Sequence, residues 1–179
     1  RQIGIVCDAV RDSGQADSTV IIFTSDHGDM DSAHRMEHKC TFYDEACRVP
    51  LIVSFPGVTP GGTVDREHLV SNGLDLLPTL CDYARRDVPG ELIGSSLRPL
   101  AEGAEVPAWR SWLPVECRFG RMVMTRRHKY MLYDPGEHAE QLIDLDEDPG
   151  EMHSAATDPA YEDILDRHRQ LFRDHFRQP

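Results

Sequence analysis

The fold is decided by residues 19–54, whose sequence is TVIIFTSDHGDMDSAHRMEHKCTFYDEACRVPLIVS. Two short apolar runs, at residues 19–24 and 49–54, are rich in β-branched residues and predict strands buried on both faces. A polar stretch follows the first strand at residues 25–39, and residues 42–47 predict a short helix. Two buried strands joined by a long connection indicate an α/β layer with a mostly parallel sheet.

Helical patterns of apolar residues lie on both sides of this stretch. Ile3, Val6, Cys7 and Val10 share one face of a predicted N-terminal helix, and residues 74–84 predict a second helix. Because a domain rarely begins within a packed helix, we interpret the chain as a fragment of a longer protein.

The pattern changes after about residue 100. Short runs separated by turn residues predict an antiparallel meander with strands at residues 112–117, 121–125, 129–133 and 141–145. An amphipathic helix is predicted over residues 160–176. We therefore expect two domains: part of an α/β domain over residues 1–100, and a small antiparallel sheet with a packed C-terminal helix over residues 101–179.

The chain is acidic, with 19 Lys and Arg residues against 31 Asp and Glu residues and a formal charge of -12. Nucleic acids and anionic membranes are bound by basic surfaces, so we expect neither as a partner. No apolar run approaches the roughly 20 residues that a membrane-spanning helix needs. We interpret the short cationic run at residues 126–129 as a solvated strand face.

The 5 cysteines show no spacing typical of a disulfide framework or a zinc knuckle. Free cysteine is among the most buried residue types, so the sequence favours buried free thiols.

Candidate chemistry is concentrated in the polar stretch that follows the first strand. Asp26 and His27 are adjacent, and Gly28 allows a sharp backbone turn beside them. Ligands bind outside the carboxyl ends of strands in open α/β sheets, and a carboxylate with an imidazole can bind a divalent cation. From these residue types alone, a simple turn with an exposed histidine is the commoner explanation.

The wider sequence resembles the sulfatase family of the alkaline phosphatase superfamily. The similar segments are TVIIFTSDHGDM, Lys39, FYDEACRVPLIV and the Pro56-Gly57 turn, followed by LVSNGLDLLPTLCDYA, LIGSSLRPL and HKYMLYDPGEHAEQLIDLDEDPGEM. Each segment alone is weakly specific, but their shared order is typical of the family and covers essentially the whole chain. The resemblance implies an alkaline-phosphatase-like sheet followed by the family's C-terminal subdomain.

The resemblance also implies a site that hydrolyses sulfate esters with one divalent cation, usually Ca²⁺. Asp26 and His27 fall on the family's metal ligands. Lys39 falls on the catalytic lysine, which contacts the sulfate and neutralises the leaving oxygen. His34 matches a histidine that can contact substrate, although both of its neighbours differ from the family's glycines. The implied substrate is a sulfated small molecule or glycan.

The nucleophile of this family is a cysteine converted to formylglycine within a C-x-P/A-x-R motif. Residues 7–11, CDAVR, fit that short pattern. They lack the T-G element that follows it in the family, and Cys7 lies on the apolar helical face, so we interpret the match as accidental. The formylglycine is then expected on a missing N-terminal part, and the isolated fragment is expected to be inactive.

Three alternatives remain at this point. The same superfamily fold could hydrolyse a phosphate or phosphonate ester. His34, Glu37 and His38 satisfy the H-x-x-E-H pattern of a zinc metallopeptidase, which requires both histidines on one helix. The chain could also be a partner-binding module without enzymatic activity.

Overall fold

A computed structural model describes residues 1–176 of the chain. The helices and strands are, in chain order, α1 (Gln2–Asp12), β1 (Ile21–Thr24), α2 (Asp44–Cys47), β2 (Leu51–Ser54), α3 (Asn72–Tyr83), α4 (Arg98–Ala101), β3 (Leu113–Cys117), β4 (Gly120–Met124), β5 (His128–Tyr133), β6 (Glu140–Asp144) and α5 (Glu162–His175). The predicted α/β class, with an antiparallel sheet and a C-terminal helix in its second half, is confirmed. None of the helices in this part of the chain is long and apolar enough to cross a membrane.

The chain forms two compact units. The first contains Arg1–Asp26 and Val49–Trp109, and the second contains His27–Arg48 together with the residues from Arg110 onward. From His27 onward, the polar stretch therefore belongs to the same unit as the C-terminal sheet, whereas Ser25 and Asp26 belong to the first unit. The division predicted near residue 100 stays a prediction about the domains of the complete protein.

In the first unit, β1 and β2 form a two-stranded antiparallel sheet in which Ile21 pairs with Ser54 and Thr24 pairs with Leu51. The predicted parallel arrangement is therefore not found between these strands. They are also only partly buried, and Ile52 is 56% exposed. An apolar, β-branched run indicates a strand, but it does not specify the direction of the partner strand or what covers its faces.

Helix α3 is tied to the segment before α4 by a buried carboxylate. Asp75 is fully buried, and its two carboxylate oxygens accept hydrogen bonds from the backbone N–H groups of Ser71 at 2.8 Å and Ser95 at 2.9 Å. One turn later, the Thr79 hydroxyl accepts a hydrogen bond from the Leu97 N–H at 2.8 Å. These contacts fix the start of α3, whose first residue, Asn72, contacts the backbone that follows β1.

The second unit is built on the antiparallel sheet β3-β4-β5-β6. Because side chains alternate along a strand, this sheet has two apolar faces. Helix α5 covers one face through a cluster that contains Val123, Tyr130, Leu142 and Leu165. Phe42 packs on the other face with Met122, Met131 and Ile143. The predicted packing of the C-terminal helix is confirmed, and the opposite face anchors the segment next to the polar loop.

Two predictions about side-chain environment are wrong. The cysteines are free, but none is fully buried, and Cys40 is exposed. The cationic run does not form a solvated face, because Lys129 is fully buried and Arg127 pairs with the buried Asp144 carboxylate at 2.7 Å. Both errors have the same cause: the burial of a residue depends on neighbours that are distant in sequence.

Candidate functional site

The backbone after β1 is held by the first residue of α3. The Asn72 amide group donates hydrogen bonds to the carbonyl oxygens of Ser25 at 2.5 Å and Asp26 at 3.2 Å. The Ser25 hydroxyl lies 3.4 Å from the Asp26 carboxylate. The chain therefore leaves the strand in a defined direction at Asp26. Sequence analysis gave Asn72 no role, although it lies within a segment that resembles the sulfatases.

Gly28 packs directly against α2. Its N–H donates to the carbonyl oxygen of Ala46 at 2.8 Å, and a Cβ atom at this position would overlap the carbonyl oxygen of Glu45. The backbone of Gly28 does not adopt the left-handed conformation. The glycine is thus required for close approach to α2, and the sharp turn expected from the sequence is not the reason for it.

The ring of His27 is held on both of its nitrogen atoms. Nδ1 lies 2.7 Å from the carbonyl oxygen of Gly28, and Nε2 contacts Nζ of Lys39. A carbonyl only accepts and an ammonium only donates, so both contacts fit one neutral tautomer with the proton on Nδ1. In that tautomer the lone pair lies on Nε2, where it accepts from Lys39 in this structure. Nε2 is also the atom with which a histidine ligates a metal when its Nδ1 donates to a backbone carbonyl, so a metal would have to replace the Lys39 contact.

The loop between His27 and Lys39 is compact and conformationally costly. Met30 is buried, its N–H donates to the His38 carbonyl oxygen at 2.8 Å, and the Ser32 N–H donates to the Met36 carbonyl oxygen at 3.0 Å. Positive φ angles occur at Asp31, Ser32, His34, Arg35 and His38. Left-handed backbone at non-glycine residues costs about 1–3 kcal/mol each and clusters at functional sites. These backbone conformations lie along the path that brings Lys39 back into contact with His27.

His34 is anchored inside the same unit. Its ring stacks on Tyr43 with centroids 3.9 Å apart and an interplanar angle of 5°. Its Nε2 lies 3.8 Å from a carboxylate oxygen of Glu45, and its side chain is only 10% exposed. Substrate contact by His34 stays a prediction.

The zinc peptidase alternative fails on local geometry. Ala33–Arg35 form a single 3-10 turn, within which His34 has φ 51°, and Met36 is extended. His34 and His38 therefore do not lie on one helix, which the H-x-x-E-H pattern requires.

The donor set of this chain fits part of a metal site. Asp26 supplies a carboxylate, and His27 supplies an imidazole whose tautomer suits a ligand. Within residues 1–176, no group of three or more His, Cys, Asp and Glu side chains is arranged to hold a metal ion. The two compact units meet in sequence between Asp26 and His27, so the predicted convergence of both side chains on one cation stays a prediction.

Comparison with known proteins identifies a consistent set of relatives. Residues 32–178 match the sequence model of the family described as N-sulphoglucosamine sulphohydrolase, C-terminal. A Delta 4,5-hexuronate-2-O-sulfatase of Bacteroides thetaiotaomicron is 38% identical over 98% of this chain, which corresponds to 38% of the relative's length.

Solved structures agree with this result. The structure of a 2-O GAG sulfatase superposes with a TM-score of 0.87 and 36% identity, covering 97% of this chain and 39% of that protein. A phosphonate monoester hydrolase of Agrobacterium radiobacter superposes with a TM-score of 0.84 and 30% identity, covering 97% of this chain and 38% of that protein. The chain thus spans less than two fifths of the length of each of these relatives.

Proposed function

This chain belongs to the sulfatase family, of which it forms a C-terminal portion, and we propose that the complete protein hydrolyses sulfate esters. The observation that carries this proposal is the arrangement around His27: one ring nitrogen bonded to a backbone carbonyl, the other facing the Lys39 ammonium. The proposal is supported by the contact between the His27 ring and the Lys39 ammonium, which brings together the two ends of one loop.

The proposed roles follow from the chemistry of these groups. Asp26 and His27 hold a divalent cation, which we propose to be Ca²⁺, together with ligands from outside this chain. A cation bound there supplies positive charge that polarises the sulfate oxygens. Lys39 supplies a second positive charge against the leaving oxygen, where negative charge develops in the transition state. His34 lines the substrate side of the loop. The nucleophile, a formylglycine, lies in the remaining part of the protein.

We propose a sulfated sugar of a glycan as the substrate class. This rests on the names of the relatives, which include a hexuronate 2-O-sulfatase and a 2-O GAG sulfatase. The phosphonate ester alternative has support from two similar structures, at 30% and 29% identity, but the more similar relatives are named for sulfate esters. Sulfate ester hydrolysis is therefore the favoured activity.

The test uses the complete protein with an aryl sulfate, a 2-O-sulfated unsaturated uronate and an aryl phosphonate monoester. Lys39→Ala should lower kcat on the sulfate esters about 100-fold while leaving the bound Ca²⁺ unchanged. Arg118→Ala, which removes a cation beside Phe119 in the turn between β3 and β4, is the matched control and should keep full activity. Faster turnover of the phosphonate than of either sulfate ester would reject the proposal.

A further inference from the structure

A buried charge network lies at the N-terminal end of α2. Lys129 on β5 has a side chain that is 1% exposed, and its Nζ contacts three oxygen atoms. These are the Phe42 carbonyl oxygen at 3.1 Å, Oδ1 of Asp44 at 2.6 Å and Oε1 of Glu151 at 2.7 Å. Oε2 of Glu151 accepts a hydrogen bond from the Asp44 N–H at 2.6 Å. A buried ammonium is thus matched to carboxylates that also hold the first residue of α2.

The other contacts of this short segment are made with the loop that carries the candidate site. Gly28 donates to Ala46 and packs without a gap on the backbone of Glu45. The ring of Tyr43 supports His34. The position of His27, whose Nδ1 is bonded to the Gly28 carbonyl oxygen, therefore depends on where α2 lies. All of these contacts lie within the second compact unit.

Two further observations indicate that the network serves a defined geometry. Glu151 has φ 54°, so the chain accepts a left-handed glutamate in order to aim this carboxylate. Buried ion pairs add little stability compared with apolar residues of similar volume, so the network is not explained by stability alone. Burial raises the pKa of Asp44, but hydrogen bonding and charge from Lys129 and, to a smaller extent, Arg48 outweigh burial, and the pKa lies below its usual value. Asp44 therefore remains ionised against Lys129 at neutral pH.

Resting on the proposed function, we propose that Lys129 and Glu151 are positioning residues that hold α2 and, through Gly28, set the orientation of His27 toward the cation. Neither residue touches substrate in this scheme. They lie in the segments HKYMLYD and DPGEM, which had no assigned role in the sequence analysis.

The test compares Glu151→Gln with Glu140→Gln in the complete protein. Both changes neutralise a glutamate that is ion-paired within the same unit, but Glu140 bonds Arg169 at 2.7 Å and joins β6 to α5. The first readout is amide hydrogen exchange at Gly28, which needs no activity. Glu151→Gln should lower protection there about tenfold or more, and Glu140→Gln should change it less than about twofold. Equal protection in the two variants would overturn the proposal.

The second readout is Ca²⁺ binding by calorimetric titration, followed by kcat at low and at saturating Ca²⁺. Glu151→Gln should weaken Ca²⁺ affinity about 10- to 100-fold, with kcat recovering at saturating Ca²⁺. A purely structural role would instead lower the amount of folded protein without this recovery. If Glu151→Gln does not fold, Asp44→Asn provides the same comparison, since that carboxylate is 35% exposed. If the parental protein cleaves no sulfate ester, the proposed function fails, while the exchange at Gly28 still decides the positioning role.

Discussion

Replacing Lys129 by Met tests whether the buried network behaves as one electrostatic unit. The change keeps much of the apolar stem and removes the ammonium. It leaves Glu151, whose side chain is 2% exposed, without its cation, and it leaves the partly exposed Asp44 with Arg48 alone. Removing one partner of a buried ion pair costs about 3–5 kcal/mol, because the remaining charge stays desolvated. Solvent screens the Lys129–Glu151 interaction very little, because the two side chains are only 1% and 2% exposed.

The double variant Lys129→Met/Glu151→Gln also removes the charge of Glu151, which is the deeply buried one. The Gln side chain can still accept the hydrogen bond from the Asp44 N–H, and the Asp44 carboxylate, which is 35% exposed, keeps its contact with Arg48 at 3.3 Å. We expect the double variant to be destabilised by about 1–3 kcal/mol, less than Lys129→Met alone, which corresponds to a large favourable coupling in the cycle.

The assay is urea unfolding in a Trp109→Phe background. The 179-residue chain has 2 tryptophans, so in this chain the remaining Trp112 reports on the second unit alone. The cycle Arg169→Met/Glu140→Gln is the control, because that pair is about one third exposed and should couple by only about 1 kcal/mol or less. Additive effects at Lys129 and Glu151, or a loss below about 1 kcal/mol for Lys129→Met, would refute the argument.

Two further predictions concern pH and activity. Burial lowers the pKa values of His128 and His168, a shift that Arg127 reinforces at His128 although Asp144 opposes it. With their pKa values lowered, both rings bind protons less readily in the folded state than in the unfolded chain. Stability is therefore lost as pH falls through the unfolded pKa of about 6.5 toward the lower folded values. Unfolding free energy should fall by up to about 1 kcal/mol per ring between pH 7.5 and 5.5. A double change of both rings to Gln should flatten this profile, and a profile unchanged by it would contradict the assignment. Separately, the 179-residue chain alone should show no turnover of an aryl sulfate, because groups that act together in catalysis fail together. Measurable turnover that is lost in Cys7→Ala would show that residues 7–11 are the true nucleophile motif.

Local patterns in the sequence determined the elements and the position of the candidate site. Hydrophobic periodicity depends on residues within one or two turns or strand repeats, so α1, α2, α3, α5 and the six strands occur close to where the sequence predicts them. The short helix α4 was not predicted. The candidate metal ligands Asp26 and His27 and the candidate catalytic Lys39 lie within 14 consecutive residues. Their order along the chain, which resembles that of the sulfatase family, could therefore be recognised without knowing any long-range contact.

Only the tertiary structure decided how these elements support one another. The antiparallel pairing of β1 with β2, the burial of Lys129 and the close approach of Gly28 to α2 each involve partners more than fifteen residues away. The hydrophobicity of a residue does not specify such partners. A lysine that follows two arginines and a histidine in the sequence gives no sign that it will be buried. The loop that carries His27 and Lys39 is therefore connected to the C-terminal sheet only in the folded chain. The connection forms because Lys129 of β5 and Glu151, both buried, need partners of opposite charge or hydrogen-bonding groups, and they find them at Asp44 of α2.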